Sequence, residues 1–261
     1  MVRRHGRRRA QDVRRRFVRS HSGDALLVNS LPKSGTHLLQ QIIAVAPLSD
    51  FGGFIASTPP LRLREQSTAA LRRRLHRVLS GEVTYSHLFH DDELEEAVRT
   101  SGMTMVHLHR DPVAVFESEL FYLSEMNPYH RMYREFRSCA TAEDRFELCL
   151  QGLDDSTVYY PRFSERIARY DGWLRSDVCH VVSFEELTAS DAARIDAITA
   201  LGHHLERRNM LAGAVDDFVE AAVSRIDPRA SHTFSGGHTG RASARLTDEQ
   251  RERVEAELGH C

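Results

Sequence analysis

Short apolar runs alternate with amphipathic segments along most of the chain. The runs that predict buried strands are residues 25–29, 83–89, 103–109 and 178–183. Helical periodicity or helix-end signals mark residues 38–46, 61–79, 93–99, 112–123, 192–201, 215–225 and 248–258. Strands that alternate with helices favour a parallel sheet, because parallel neighbours need a crossover connection. The pattern predicts an α/β fold of three layers, with helices on both faces of a central parallel sheet.

Several predicted boundaries carry signals of their own. Asp111 can cap a helix that Pro112 begins. Thr247 has the spacing of a capping box with the Gln three positions later. Gly202 predicts the end of the helix before it. Residues 51–60 are rich in Gly, Ser and Pro and predict a loop.

Composition narrows the class of protein. Of the 261 residues, 41% are hydrophobic and 28% are charged, as in an ordinary soluble globular protein. No apolar run approaches the roughly 20 residues that cross a bilayer, so we expect no membrane span. The four cysteines form no C-x-x-C pair, which favours a reduced, cytoplasmic protein. We expect residues 21–261 to form one domain, because no repeat or change of composition divides them.

Charge is distributed unevenly along the chain. The formal net charge is −2, but residues 1–19 contain nine Arg and one Asp, so the remainder carries −10. An arm this basic could bind nucleic acid or an anionic membrane surface. Residues 1–20 lack apolar periodicity and interleaved aromatic side chains, so we expect a solvated, disordered extension without a specific nucleic-acid partner.

One loop holds the only lysine of the chain. Of 35 basic side chains, Lys33 alone is not Arg. It lies in residues 31–37, LPKSGTH, between a predicted strand and a predicted helix, where backbone N–H groups and a helix N-terminus can hold an anion. In the nucleotide-triphosphatase loop the lysine follows the second glycine, whereas Lys33 precedes Gly35. The loop therefore predicts a phosphate or sulfate ligand in a different arrangement.

Residues 31–37 resemble the 5′-phosphosulfate loop of sulfotransferases that use 3′-phosphoadenosine 5′-phosphosulfate (PAPS). A second element resembles that family's 3′-phosphate segment, with Arg110 at a strand end and Ser118 on the next helix. Arg offers a bidentate fork to a phosphate dianion, and Ser offers a hydroxyl. The resemblance implies a ligand that is phosphorylated at two ends.

Two later segments extend the resemblance. Residues 160–187 are similar to the family's helix ending in Trp and strand ending in Y-E-D-L, and residues 234–240, FSGGHTG, to the loop that closes over the 3′-phosphate. Together the segments span residues 27–247 and imply a P-loop-nucleotide-kinase-like sulfotransferase fold. PAPS would be the co-substrate, adenosine 3′,5′-bisphosphate (PAP) the product, and no metal would be needed. The residues implied in nucleotide binding are Lys33, Ser34, Gly35, Thr36, His37, Arg110, Ser118, Phe184, Phe234, Ser235, Gly236 and Gly237.

The chain departs from the family's pattern in the closing loop. Ser235 and Gly236 stand where the family usually has Arg and Lys, so we expect weaker affinity for the nucleotide. Phe184 replaces the Tyr of Y-E-D-L and keeps the ring without its hydroxyl. The dimerisation signature of many animal cytosolic members requires Lys and is absent, so oligomeric state does not carry over.

The resemblance also implies which residue carries out each part of the reaction. Lys33 would stabilise the charge that develops on the leaving-group oxygen during sulfuryl transfer. His87 lies where hydroxyl-directed members often place a histidine base, and an ordinary histidine pKa of about 6.5 suits that role. His37 could donate to the leaving-group phosphate. The aromatic residues within 121–160 favour a small organic or lipid-like acceptor.

Two alternatives stay open. His107, His109 and Asp111 form an H-x-H-x-D run like that of dinuclear metallohydrolases, although Pro112 replaces its final histidine. The weakened closing loop also fits a catalytically weak or inactive member of the fold that binds the nucleotide without transferring sulfate.

Overall fold

A parallel sheet of five strands lies at the centre of the structure. The computed structural model describes residues 24–155, 157–227 and 246–259. The strands are β1 (Leu26–Ser30), β2 (Ser49–Ala56), β3 (Glu82–His87), β4 (Thr104–His109), β5 (Leu153–Asp155), β6 (Val158–Tyr160) and β7 (Cys179–Ser183). The sheet has the order β2-β3-β1-β4-β7, and β5 and β6 form a separate antiparallel pair. The predicted basic arm, residues 1–20, lies outside the described residues.

Helices connect the strands and cover both faces of the sheet. They are α1 (Thr36–Ile43), α2 (Thr68–Leu75), α3 (Asp92–Ser101), α4 (Pro112–Phe121), α5 (Tyr133–Ser138), α6 (Ala142–Gln151), α7 (Phe163–Arg175), α8 (Phe184–Ala189), α9 (Asp191–Glu206), α10 (Val215–Arg225) and α11 (Asp248–Leu258). A π-helical turn, Tyr122–Met126, continues α4. The predicted three-layer α/β fold is confirmed. No helix in the described ranges is long and apolar enough to cross a membrane.

Each face of the sheet has its own apolar core. Side chains alternate along a strand, so Leu27 of β1 packs into one core and Leu26 into the other. Phe116 and Trp173 belong to the first core, and Leu201 of α9 belongs to the second. Each fully buried side chain of this size contributes roughly 1.5–3 kcal/mol to folding. The two cores pack the sheet between its helical layers.

The order of the strands creates a crevice at the carboxyl end of β1. The chain passes from β1 toward β3 and β2 on one side and then toward β4 and β7 on the other. Ligands of open α/β sheets bind at such a switch point, because the connections on its two sides leave in opposite directions. The loop that holds Lys33 leaves β1 here, between the ends of β3 and β4.

Several predicted boundaries agree with the structure. Asp111 caps α4 by accepting a 2.8 Å hydrogen bond from the N–H of Ala114, and Pro112 is the first helical residue. Thr247 and Gln250 form the predicted capping box of α11. The helix predicted over residues 61–79 is shorter, because Ser67 caps α2 and the helix ends at Leu75.

Two predictions are wrong. Residues 51–60 were predicted to be a loop, but residues 51–56 belong to β2. This strand lies at the edge of the sheet and is irregular between Asp50 and Phe54, so it lacks the apolar alternation of an inner strand. Gly202 does not end its helix, since α9 continues to Glu206. It is buried where α10 crosses α9, and its small size permits that approach.

Filling this contact should destabilise the protein. A Cβ at Gly202 would lie 2.8 Å from Val215 Cγ1 and 3.2 Å from Phe218 Cδ1, so Gly202→Val should lower the free energy of unfolding by about 1–3 kcal/mol. Urea denaturation measures the change. Ala200→Val, at an exposed position of the same helix, should change it by no more than about 0.7 kcal/mol. Equal losses in the two variants would contradict this packing role.

Candidate functional site

The loop between β1 and α1 is held against β4. The Leu31 N–H donates to the carbonyl of Leu108 over 3.1 Å, and the Ser34 N–H donates to the carbonyl of Leu31 over 3.1 Å. The buried Ser34 hydroxyl donates to the same two carbonyls, at 2.6 Å to Leu31 and 3.3 Å to Leu108. Ser34, a predicted nucleotide ligand, thus uses its side chain to fix the loop.

Helix α1 begins at the mouth of this loop without a side-chain cap. Its N-cap residue is Gly35, which has a φ of 97° and cannot supply a capping oxygen. The N–H groups of a first turn then need partners from outside the helix. Together with the partial positive charge of a helix N-terminus, they suit an anion. The Thr36 hydroxyl lies 2.8 Å from the Ser30 hydroxyl.

Lys33 is held in an unusual backbone conformation. Its φ is 68°, in the left-handed region that costs a non-glycine residue of order 1–3 kcal/mol. The Lys33 carbonyl accepts a 3.1 Å hydrogen bond from Arg110 Nη1. Burial, aided by the positive charge of Arg110, lowers the pKa of Lys33 to about 8, although the Glu119 carboxylate acts in the opposite direction. The loop thus presents an ammonium that gives up its proton more readily than a surface lysine.

Arg110 connects the loop to the start of α8. Its guanidinium carbon lies 4.4 Å above the centre of the Phe184 ring. Its Nε is buried and has no hydrogen-bond partner among the described residues. Burial lowers the pKa of Arg110. A buried N–H of a cation without an acceptor is costly, so an anion at this place would supply the missing partner.

The Phe184 ring also fills the space beside Gly35. A Cβ added to Gly35 would overlap the Phe184 ring. This one ring therefore touches both the loop and the guanidinium of Arg110, which brings together two segments that the sequence separates by about 75 positions. Ser118 lies farther along α4 and is half-buried.

His87 lies at the carboxyl end of β3, next to the loop. Its Nδ1 is 2.7 Å from the Ser30 carbonyl oxygen and 3.2 Å from the Ser30 hydroxyl. A carbonyl only accepts, so Nδ1 carries the proton and the lone pair is on Nε2. Burial lowers the pKa of His87 to about 4, and the neighbouring charges of Lys33 and His37 act in the same direction. Near neutral pH the ring is therefore an uncharged base.

His37 is exposed on the first turn of α1. Its Nδ1 lies 3.0 Å from Gln40 Oε1. The structure thus brings Lys33, Arg110 and His87 to one edge of the sheet, with His37 at its rim. The predicted nucleotide ligands of the closing loop lie outside the described residues; they are Phe234, Ser235, Gly236 and Gly237.

Sequence reasoning missed two residues beside Lys33. Tyr122 begins the π-helical turn, and the Lys33 ammonium lies 3.8 Å from the centre of its ring. Glu119, on the last turn of α4, is held by Arg166 at 3.2 Å. The spacing of four residues between Ser118 and Tyr122 places both on one helix face, and that signal could have identified Tyr122.

The residues of the metallohydrolase alternative do not come together on one ion. His107 is 1% exposed, and its Nδ1 lies 3.2 Å from Asn29 Nδ2. Burial lowers its pKa to about 3. The Asp111 carboxylate caps α4. Among the described residues, no group of three or more His, Cys, Asp or Glu is arranged to hold a metal ion.

Comparison with known proteins identifies similar solved structures. The chain is similar to mouse sulfotransferase SULT7A1 complexed with PAP, with a TM-score of 0.61 and 17% identity over 91% of this chain and 84% of that one. It is also similar to retinol dehydratase with retinol and PAP (TM-score 0.54) and with androsterone and inactive cofactor PAP (TM-score 0.50). Both show 13% identity over 90% of this chain and 80% of theirs. No family model and no curated protein matches the chain.

The contact between Gly35 and Phe184 can be tested separately from backbone strain. Gly35→Ala imposes a left-handed alanine and an overlap with the ring, whereas Gly52→Ala imposes a left-handed alanine in open space, since nothing lies within 4 Å of its added Cβ. Both should destabilise the protein. Chemical denaturation should show a larger loss for Gly35→Ala, by about 1 kcal/mol or more. A loss no larger than that of Gly52→Ala would contradict the close approach.

Proposed function

We propose that this chain, which has the fold of the PAPS-dependent sulfotransferases, transfers the sulfuryl group of PAPS to a hydroxyl of a small organic or lipid-like acceptor. The observation that carries the proposal is the meeting of Lys33, Arg110 and His87 around an uncapped helix N-terminus. An anion cradle, a half-buried ammonium and an uncharged base are the three groups that such a transfer needs.

The two ends of the donor would bind to different parts of the crevice. The first-turn N–H groups of α1, from Thr36 and His37, would bind the 5′-phosphosulfate. Arg110 would take the 3′-phosphate, with a donor in its Nε, which has no partner in the described ranges. Ser118 would add a hydroxyl. Mouse sulfotransferase SULT7A1 and retinol dehydratase, which share the fold, are complexed with PAP.

The transfer would proceed in line. The acceptor oxygen attacks the sulfur, the bond between sulfur and the bridging phosphate oxygen breaks, and its electron pair stays on PAP. The Lys33 ammonium neutralises that developing charge. The hydroxyl proton passes to His87 Nε2, whose lone pair is free because Nδ1 is bound to the Ser30 carbonyl. His37, at the rim, could donate to the leaving phosphate.

The environment of His87 supports a lipophilic acceptor. The Phe54 ring packs edge to face on His87, with centroids 4.7 Å apart, and Phe54 is 40% exposed. An exposed ring beside the base offers an apolar contact to an incoming molecule. Androsterone and retinol, named in the complexes of retinol dehydratase, are small lipophilic molecules of this kind.

An inactive nucleotide-binding protein is the second candidate. Ser235 and Gly236 remove two cations from the closing loop, and this favours weak nucleotide binding without turnover. A screen of alcohols and phenols with labelled PAPS, read by mass spectrometry, distinguishes the two. Sulfated product supports the transferase, whereas bound PAP without product from a broad panel supports the second candidate.

The lysine should be required as an ammonium. Lys33→Ala should abolish transfer, because it removes the only lysine of the chain and with it the ammonium proposed to act at the bridging oxygen. Lys33→Arg keeps a charge but brings a planar fork into a tight loop, so we expect at least about a 10-fold loss. Labelled-PAPS turnover measures both. Arg175→Ala, which removes an exposed cation from the end of α7, is the control, and unchanged turnover in Lys33→Ala would overturn the proposal.

The pH profile of kcat/KM should have two limbs. His87 must be neutral, and with a pKa of about 4 it becomes protonated only as the pH falls through that value. Lys33 must be protonated, and with a pKa of about 8 it loses its charge as the pH rises through that value. The limbs should therefore lie near pH 4 and pH 8. In the pH profile of kcat, which reports the donor-bound protein, both limbs should lie at higher pH. The bound anionic donor favours the charged forms of His87 and Lys33 and so raises both pKa values.

The acid limb has its own control. His87→Asn keeps an N–H for the Ser30 carbonyl but supplies no base, so it should lower kcat by about 100-fold or more and remove the limb. An acid limb at the ordinary histidine value of about 6.5 in the unmodified protein would contradict the buried setting of His87.

A further inference from the structure

The ammonium of Lys33 lies against an aromatic face. Its Nζ is 3.8 Å from the centre of the Tyr122 ring, well within the distance of about 6 Å at which a cation is attracted to a ring. None of the ion pairs among the described residues includes Lys33. Among the described residues, the Tyr122 ring is therefore the group that contacts this charge.

The Tyr122 ring is itself held in place. Asn127 Nδ2 donates to the Tyr122 hydroxyl over 2.6 Å, and the Asn127 N–H donates to the Tyr122 carbonyl over 3.1 Å. The two bonds join the residue after the π-helical turn to its first residue. Single π-helical turns are rare and are often found at functional sites. The turn thus aims the ring at the loop on the opposite side of the crevice.

Burial and a neighbouring cation disfavour the charge of Lys33. Burial is the main cause that lowers its pKa, and Arg110 from the end of β4 acts in the same direction. The imidazoles of His87 on β3 and His130 beyond the π-helical turn would oppose the ammonium only when protonated, and their pKa values of about 4 leave them uncharged near neutral pH. Glu119 on α4 favours the charge. However, the Glu119 carboxylate already binds two other side chains.

Those groups are Arg166 at 3.2 Å and the Tyr160 hydroxyl, which donates to Glu119 over 3.3 Å. A carboxylate that is already bound on two sides attracts a third cation less effectively. The Tyr122 ring then carries the contact that favours the charged lysine, without forming a competing ion pair.

We propose that Tyr122 is a positioning residue that holds the Lys33 ammonium at the crevice until the donor binds and then releases it to the bridging oxygen. The proposal rests on the proposed sulfuryl transfer. A desolvated cation–π contact is worth about a 5- to 30-fold factor in an equilibrium constant. A charge-assisted hydrogen bond to a phosphate is stronger, so the arriving anion can displace the ring. A carboxylate in the place of Tyr122 would compete with the donor.

The single lysine makes a direct test possible. Lysine labelled with ¹³C at Cε yields one protein signal, that of Lys33, provided that the purification tag lacks lysine. In the free protein its ε protons should be shifted upfield by the ring. Adding PAP should remove that shift as the ammonium leaves the ring. Titration of the same signal measures the pKa of Lys33.

Three variants separate the ring from its hydroxyl and from a general loss of structure. Tyr122→Leu removes the ring, so the upfield shift should vanish and the pKa of Lys33 should fall by about one unit. Tyr122→Phe keeps the ring and should retain most of both. Tyr129→Leu removes a tyrosine that is 79% exposed on the same segment and should change neither.

The kinetic parameters of the Tyr122 variants should change in parallel with their Lys33 signals. Tyr122→Leu should move the alkaline limb of kcat/KM about one pH unit down and lower kcat/KM at pH 8 about 5-fold, because fewer free molecules carry the ammonium. The loss in kcat should be smaller, because kcat reports the donor-bound protein, in which the ring has already released the ammonium. Tyr122→Phe should restore most of the shift in kcat/KM. A Lys33 signal that is the same in the Leu variant and the unmodified protein would overturn the inference. Spectra as expected, with no sulfated product from the unmodified protein, would instead overturn the proposed function and leave the contact established.

Discussion

Arg110 reaches from the end of β4 to the carbonyl of Lys33, and the shape of the site depends on this bond. It holds a left-handed lysine that the backbone alone would disfavour. The same guanidinium lies on the Phe184 ring and has an N–H that no group among the described residues accepts. One side chain thus shapes the loop and keeps a donor for a ligand.

The electrostatics of the free site are incomplete in a way that favours an anion. Burial depresses the pKa of Lys33, His87 and Arg110, so the cationic form of each is disfavoured in the free protein. A nearby anion would raise these pKa values again. The nearby Glu119 does not fill that place, because Arg166 and Tyr160 hold its carboxylate. A phosphorylated ligand would stabilise all three cationic forms together.

The sequence predicted the α/β layers and the strand, loop and helix around Lys33, because local patterns of apolar runs and helix caps determine them. Arg110 was singled out by the resemblance to a family and not by a local pattern. It did not predict β2, since an edge strand pairs on one side only and has no regular alternation. The contact of Tyr122 with Lys33 was not predicted, because the direction of the ring depends on the π-helical turn and on its hydrogen bond with Asn127. Gly202 was predicted to end its helix because the sequence alone does not distinguish a glycine that ends a helix from one that permits close helix packing.

The position of Phe184 has a consequence for how a ligand would be recognised. Its ring separates the glycine of the first loop from the guanidinium that follows β4, so neither can shift without moving the other through the ring. Occupation of one end of the crevice would therefore order the other. Under the proposed function, the ring would transmit a displacement at one phosphate site to the other, so that one connected unit would bind both ends of the donor.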